Sequence, residues 1–154
     1  MLTQLHSQLI LSAIGSAARM HQHDTEIEHG RTKLRQFELQ LEHDREMFGM
    51  KTELIRSLIH ALIEKRVDAV EKGFSGILSM YADDSRHYRA QQDKYADQEI
   101  KASDPLERAN LRTRLSETDL HLTNIRNDTA QIYREMNRVI LLIGGSMPPL
   151  PTLN

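Results

Sequence analysis

Apolar residues recur at alternating intervals of four and three along much of this chain, which is the spacing of one narrow face of an α-helix. The longest such series runs through the C-terminal third. Its members are Leu111, Leu115, Thr118, Leu122, Ile125, Thr129, Ile132, Met136, Val139 and Ile143. A seam this narrow, kept over more than four heptads, is typical of coiled-coil packing rather than of a broad globular face.

An aromatic residue stands at every seventh position in the preceding segment. This aromatic line consists of Phe74, Tyr81, Tyr88 and Tyr95. Seven residues are close to two helical turns, so the four rings share one side of a helix. A short turn at residues 103–104 makes this helix an antiparallel neighbour of the last one. We therefore expect the aromatic line to face the C-terminal seam.

Residues 54–63 are apolar over more than one helical face, and such a helix touches at least two neighbours. Antiparallel folding about residue 104 brings the end of the last helix level with this segment. We predict the main bundle core, or the main oligomer interface, at that level. The predicted residues are Leu54, Ile55, Leu58, Ile59, Leu62, Ile63, Ile132, Met136, Val139 and Ile143.

A third line has a period of seven and is only one residue wide. It includes Ile27, Leu34, Leu41 and Phe48, and its flanks between 25 and 46 are almost wholly charged. A stripe this narrow cannot form a core alone, so it needs a partner. Either the helix at 2–20 folds back on it, or a second copy of the chain covers it. We interpret these four residues as a self-association seam.

The breakers and caps divide the chain into helices. The chain has seven Gly, four Pro and three Val, too few turn formers and β-branched residues for a sheet. Asp104 and Pro105 favour a helix start, and Gly144–Gly145 favour a stop. Lys72–Gly76 indicates a kink or short break, and the alternative is one continuous bent helix across it. We predict one elongated all-α domain, with helices at 2–20, 25–72, 76–102 and 105–143 in an antiparallel hairpin or bundle, and a Pro-rich flexible tail at 144–154.

Composition narrows the function classes. The formal net charge is −2, which gives no electrostatic reason to expect nucleic acid. The 154 residues contain no Cys, which excludes disulfides and thiol catalysis and suits the cytoplasm. We find no nucleophile constellation and no phosphate-binding loop, so we expect neither catalytic residues nor a cofactor.

The histidines are the remaining candidates for chemistry. His21, His23 and His29 lie close in sequence, and Glu26 precedes His29 at the Glu-x-x-His spacing of di-iron bundles. Such bundles need two inward-facing pairs, so we expect a polar turn and no metal site. His60 falls within the apolar segment 54–63, and we expect it to be an interior or interface residue.

These patterns favour a non-enzymatic coiled-coil protein that acts by self-association and by binding another protein, as a scaffold, adaptor or assembly subunit. Two alternatives stay open. Residues 1–18 carry no formally charged side chain, so a membrane-active helical protein could use them for membrane contact, although they are too polar to span a bilayer. A metal-binding helical bundle is the weaker alternative. The sequence Pro148-Pro149-Leu150-Pro151 also matches a short PxxP ligand.

Overall fold

The computed structural model describes residues 4–43, 52–151 and 153. Within these residues the chain forms five α-helices, with one turn of 3-10 helix at Asp24–Glu26 between the first two. The helices are α1 Gln4–Gln22, α2 Ile27–His43, α3 Thr52–Ile63, α4 Val67–Lys101 and α5 Pro105–Leu142. No strand occurs in the described part of the chain, so the all-α prediction is confirmed.

The two ends of α5 follow local sequence chemistry. The Asp104 carboxylate accepts a hydrogen bond from the Leu106 N–H at 3.2 Å, and Pro105 occupies the first helical turn. At the other end Gly144 has a φ of +82°, and the Gly145 N–H donates to the Ile140 carbonyl at 2.9 Å. A left-handed residue with this bond closes the helix. The predicted start and stop are therefore confirmed.

The chain reverses direction at residues 64–66, which differs from the prediction of one helix over 25–72. Lys65 has a φ of +53°. The Arg66 N–H donates to the Ala61 carbonyl at 3.0 Å, and the Lys65 N–H donates to the Leu62 carbonyl at 3.4 Å. This pair of bonds is a Schellman motif, with a lysine at the position that glycine usually takes. The motif ends α3 and lets α4 begin at Val67.

A kink or short break at Lys72–Gly76 and a continuous helix across it were both open from the sequence, and the helix is continuous, because both glycines lie inside α4. A Cβ added at Gly73 would stand 2.9 Å from Leu58 Cδ1 and 3.2 Å from Leu58 Cβ. A Cβ at Gly76 would stand 3.0 Å from two methyl carbons of Leu54. The glycines therefore let α3 and α4 approach closely, although glycine costs helix propensity.

Helix α1 contacts α2, α3 and α5 within the same chain. Its apolar face is buried, and the buried apolar residues are Leu9, Ile10, Ala13, Ile14, Ala17, Ala18 and Met20. A Cβ at Gly30 of α2 would lie 2.6 Å from Met20 Cβ, so α1 and α2 pack with almost no space between them. The sequence left two possible partners for the stripe on α2, the first helix or a second copy of the chain. In the structure α1 of the same chain packs against α2.

The two longest helices extend beyond this multi-helix body. No residue between Ser85 and Ala102 is buried, and between Pro105 and His121 only Leu111 and Thr118 are. Residues 86–101 of α4 and 105–121 of α5 therefore share one narrow contact stripe. At 1.5 Å per residue this two-helix extension is about 24 Å long.

We expect Gly73→Ala to destabilise the protein by about 1–3 kcal/mol, because the new methyl group meets the Cβ of Leu58. Gly15→Ala is the matched control. Gly15 also lies inside a helix, and a Cβ there meets nothing within 4 Å. This control should stabilise the protein by about 0.5–1 kcal/mol through helix propensity. Urea unfolding followed by circular dichroism measures both, and equal effects of the two substitutions would contradict the close approach of α3 and α4.

Candidate functional site

A buried polar chain ties α1 to both long helices. The Ser7 hydroxyl donates to Asp128 Oδ2 at 3.0 Å, and Tyr81 Oη lies 2.6 Å from Ser7 Oγ. Because serine has one hydroxyl proton and gives it to Asp128, the Tyr81 hydroxyl must donate to Ser7. The order is therefore Tyr81 to Ser7 to Asp128, which joins α4, α1 and α5.

The environment of this polar chain keeps Tyr81 protonated. Burial raises the pKa of the Tyr81 hydroxyl above its ordinary value of 10.0, and the carboxylates of Asp128 and Asp84 raise it further, while the bond to Ser7 opposes them. Ser7 and Tyr81 are almost completely buried, so a substrate cannot reach either hydroxyl. This arrangement positions helices rather than performing chemistry.

An open groove lies along α3 and α4 and has a volume of about 580 Å³. Its floor is apolar and includes Leu54 and Leu58. Glu38 and His60 line both this groove and a neighbouring cavity of about 370 Å³. Glu38 Oε1 is 3.8 Å from Arg56 Nε and 3.8 Å from His60 Nδ1. The Glu38 carboxylate therefore lies between the side chains of Arg56 and His60, beside the open apolar groove.

His60 was predicted to be an interior or an interface residue, and the interior alternative is wrong. Its side chain is 55% exposed at the groove, where Glu38 approaches it. The reason is its helical position. Ile59 and Ala61 on either side are buried, and His60 points out of α3 between them.

The aromatic line spans the body and the two-helix extension. Phe74 and Tyr81 are buried in the body, whereas Tyr88 and Tyr95 are half-buried. Tyr88 stacks on His121 of α5 with 4.7 Å between ring centroids. The Arg114 guanidinium of α5 lies 5.7 Å from the centre of the Tyr95 ring. The rings of Tyr88 and Tyr95 therefore contact polar side chains of α5.

The residues predicted as bundle core lie in one apolar cluster of the body. Leu54 and Ile143 are half-buried, and the other eight are buried. Those eight are Ile55, Leu58, Ile59, Leu62, Ile63, Ile132, Met136 and Val139.

The four predicted seam residues have a different setting. Leu34 and Leu41 are 0% exposed and belong to the cluster within one chain. Ile27 is half-buried against the same cluster. Phe48 lies outside the described residues. A seam between copies at Leu34 and Leu41 would require α2 to separate from α1.

His21 lies in the last turn of α1, His23 lies in the turn that follows, and His29 lies in α2. The His21 ring Nε2 donates to the Leu62 carbonyl at 3.3 Å. Burial and then the nearby Lys65 ammonium lower the pKa of His21, and the bond to Leu62 opposes them. In the described ranges no three His, Asp or Glu side chains are grouped so that they could hold a metal ion. Across the same ranges no helix has the length and apolar character needed to cross a bilayer.

Comparisons with protein-family profiles, curated proteins and solved structures each found no match for this chain. Its function must therefore be argued from its own residues.

Sequence reasoning missed two features of these sites. Ser7 and Asp128 are separated by 121 residues in sequence, and no local pattern links them. The signal that was present is Asp128 itself, a carboxylate directly beside Thr129 of the seam. Glu38 falls among the charged flanks of the stripe between 25 and 46, and its contacts with Arg56 and His60 depend on how α2 and α3 pack.

We expect Tyr81→Phe to reduce stability by about 1 kcal/mol at neutral pH, because it removes one buried hydrogen bond. The substitution should also flatten the alkaline limb of the stability curve. The folded pKa of Tyr81 lies above 10.0, so the unfolded chain loses this proton first and stability falls as pH rises past about 10. Urea unfolding from pH 7 to 11 tests this. An alkaline slope in Tyr81→Phe that equals the wild-type slope would refute the assignment.

Proposed function

We propose that this chain is a non-enzymatic coiled-coil protein that acts by self-association and by binding another protein, as a scaffold, adaptor or assembly subunit. The observation that carries the proposal is an exposed and almost uncharged outer face on α5, which begins in the two-helix extension and continues along the helix to Asn127. We define the outer face as Leu106, Ala109, Asn110, Thr113, Ser116, Glu117, Leu120, Thr123, Asn124 and Asn127, all of which are exposed.

The pairs between α4 and α5 support antiparallel coiled-coil packing. Glu99 pairs with Arg112, and Gln92 pairs with Asp119. A residue nearer the start of α4 therefore pairs with a residue nearer the end of α5. The buried positions Leu111, Thr118 and Leu122 keep the heptad spacing. Thr118 fits this stripe because its hydroxyl donates to the Arg114 carbonyl of its own helix at 2.8 Å.

The outer face contrasts with the inner side of the same helix. The charged residues Arg112, Arg114 and Asp119 contact α4. On the outer face Glu117 is the one ionisable side chain, while Leu106 and Leu120 are 69% and 61% exposed. The outermost position of a solvated two-helix coiled coil normally carries polar or charged groups. Two leucines there indicate a surface that packs against another helix.

A second copy of the chain fits this face without charge repulsion. Leu106 and Leu120 lie seven residues on either side of Thr113. A two-fold antiparallel contact centred on Thr113 therefore sets each Leu106 beside the Leu120 of the other copy. The same register sets Glu117 opposite Ala109, so the two acidic groups do not meet. Such self-complementarity is what a two-fold interface requires.

A further observation favours this reading over membrane insertion. The apolar face of α1, which the membrane alternative would release, is packed in the body and tied through Ser7. Releasing it would expose several aliphatic side chains, each worth about 1.5–3 kcal/mol of burial.

We expect Leu106→Glu combined with Leu120→Glu to hold the chain at its monomer mass of 17.8 kDa, while the wild type rises toward twice that value with concentration. Each leucine contributes about 1–2 kcal/mol, so the dissociation constant should increase about tenfold or more per substitution. Light scattering after size exclusion measures the mass.

The matched control is Leu5→Glu combined with Leu39→Glu, which adds the same charge at similarly exposed leucines of 56% and 64%. This control should associate like the wild type. A wild type that stays monomeric at every concentration, or a control that dissociates equally, would reject the outer face as the interface.

A further inference from the structure

The open groove along α3 and α4 has an apolar floor to which both helices contribute. Leu54 and Leu58 of α3 and Ala69 of α4 line it. Leu54 and Ala69 are only half-buried, so part of this apolar floor stays in contact with solvent. On α3 the lining runs from Glu53 to Ala61, which is about 12 Å of helix. The floor is therefore about two helical turns long.

Basic side chains lie along both edges of this floor. Arg56 and His60 line the groove from α3, and Arg66 and Lys72 line it from α4. His60, Arg66 and Lys72 are exposed, so their polar ends lie at the edges of the groove and not beneath its floor. Along α4 the two basic positions are about 9 Å apart. The α4 edge therefore carries positive charge over most of the length of the groove.

The two edges differ in how their charge is compensated. On the α3 edge the Glu38 carboxylate lies 3.8 Å from Arg56 Nε and 3.8 Å from His60 Nδ1. On the α4 edge neither Arg66 nor Lys72 forms an ion pair with any residue that the structure describes. The α4 edge therefore has two cationic groups that can pair with carboxylates from outside the chain.

These features specify the chemistry of an occupant. An apolar floor with positive charge at its edge complements an amphipathic helix whose apolar face is flanked by acidic residues. Two turns of such a helix place positions i, i+3, i+4 and i+7 on one face, which matches the length of the floor. A small molecule is normally enclosed by its pocket, whereas this groove is open to solvent. The open shape therefore favours a helix over a small ligand.

We propose that the open groove along α3 and α4 is a docking site for an acidic amphipathic helix of a partner protein. The apolar face of that helix covers Leu54, Leu58 and Ala69, and its acidic side chains pair with Arg66 and Lys72. This inference rests on the proposed function, because it gives the chemistry of the protein partner. The whole chain has a formal net charge of −2, so any attraction for an acidic helix comes from the local charge of the groove.

The test uses the full-length protein and three fluorescein-labelled helical peptides of equal length, followed by fluorescence anisotropy. The acidic peptide has leucines at positions i, i+3, i+4 and i+7 and glutamates on both sides of them. The basic peptide has lysine in place of each glutamate. The scrambled peptide keeps the acidic composition but spreads the leucines around the helix. The acidic peptide should bind about tenfold more tightly than either of the others.

Arg66→Gln combined with Lys72→Gln should weaken binding of the acidic peptide about fivefold, because two contacts between a cation and a carboxylate are lost. The matched control is Lys94→Gln combined with Lys101→Gln. It removes the same charge from exposed positions of α4 outside the groove and should stay within about twofold of the wild type. Circular dichroism checks that each variant retains its helices.

A single introduced thiol gives an independent readout of where the peptide binds. The chain has no Cys, and Ser57 is an exposed residue that lines the groove. Saturating acidic peptide should slow alkylation of Ser57→Cys about fivefold or more, because a docked helix covers that position. Ser103→Cys, at the exposed turn between α4 and α5, should react at the same rate with and without peptide.

Four results would overturn the proposal. They are no binding of the acidic peptide, equal binding of the acidic and scrambled peptides, binding that ignores Arg66→Gln with Lys72→Gln, and no protection of Ser57→Cys. Dodecanoate tests the alternative occupant, a small anionic amphiphile. If dodecanoate protects Ser57→Cys and the acidic peptide does not, the groove is a small-ligand site and the proposed helix does not bind there.

Repeating the titration with Leu106→Glu and Leu120→Glu in the protein separates this proposal from self-association. Peptide binding should be unchanged, because these leucines lie on the outer face of α5 and the groove lies on α3 and α4. If the wild type proves monomeric while the peptide results hold, self-association fails and the docking site stands. The reverse outcome retains self-association and removes the docking site.

Discussion

The burial of α1 against its own chain is the interaction on which the rest of the body depends. The apolar stripe of α2 is narrow, and both α1 and α3 contact α2. Ala13, Ala17 and their neighbours let α1 lie close to it. Gly30 removes the last obstacle, since any Cβ there would meet Met20. Small residues on both helices therefore allow close packing, so that the narrow stripe of α2 becomes part of a core shared with α1.

The polar chain through Ser7 complements this packing. Apolar contacts tolerate sliding along a helix, whereas a hydrogen bond of 2.6 Å between Ser7 and Tyr81 has one position along the helices. Asp128 receives the Ser7 proton and fixes the level of α5 as well. The network has no access for a substrate, so its contribution is to set the register of α1 on the two long helices.

Local chemistry made part of this structure predictable. Asp104 and Gly144 act through their immediate neighbours, so the ends of α5 could be read directly. The burial of most apolar residues within 54–63 also followed from their own composition. Lys65 could not be identified as a turn, because a lysine adopts the left-handed conformation only where packing on both sides imposes it.

The features that could not be assigned from the sequence share one physical cause. A periodic pattern of apolar residues does not determine which helix packs against it. Gly73 reads as a break in isolation, yet Leu58 makes it a point of helix contact. Leu34 and Leu41 read equally well as a seam between copies or within one chain. The Ser7 network and the Glu38 cluster join residues distant in sequence, so only the packed structure brings them together.

The position of the outer face has a consequence for how the protein would work. Thr113 lies in the two-helix extension, whereas the groove of about 580 Å³ lies along α3 and α4 in the body. Two copies joined through Thr113 would therefore keep the body of each copy away from the contact. Each body would stay accessible to a further partner, and a partner that contacts both copies would gain avidity without any new contact. Self-association and partner binding would in this way reinforce each other, which is the behaviour expected of an adaptor.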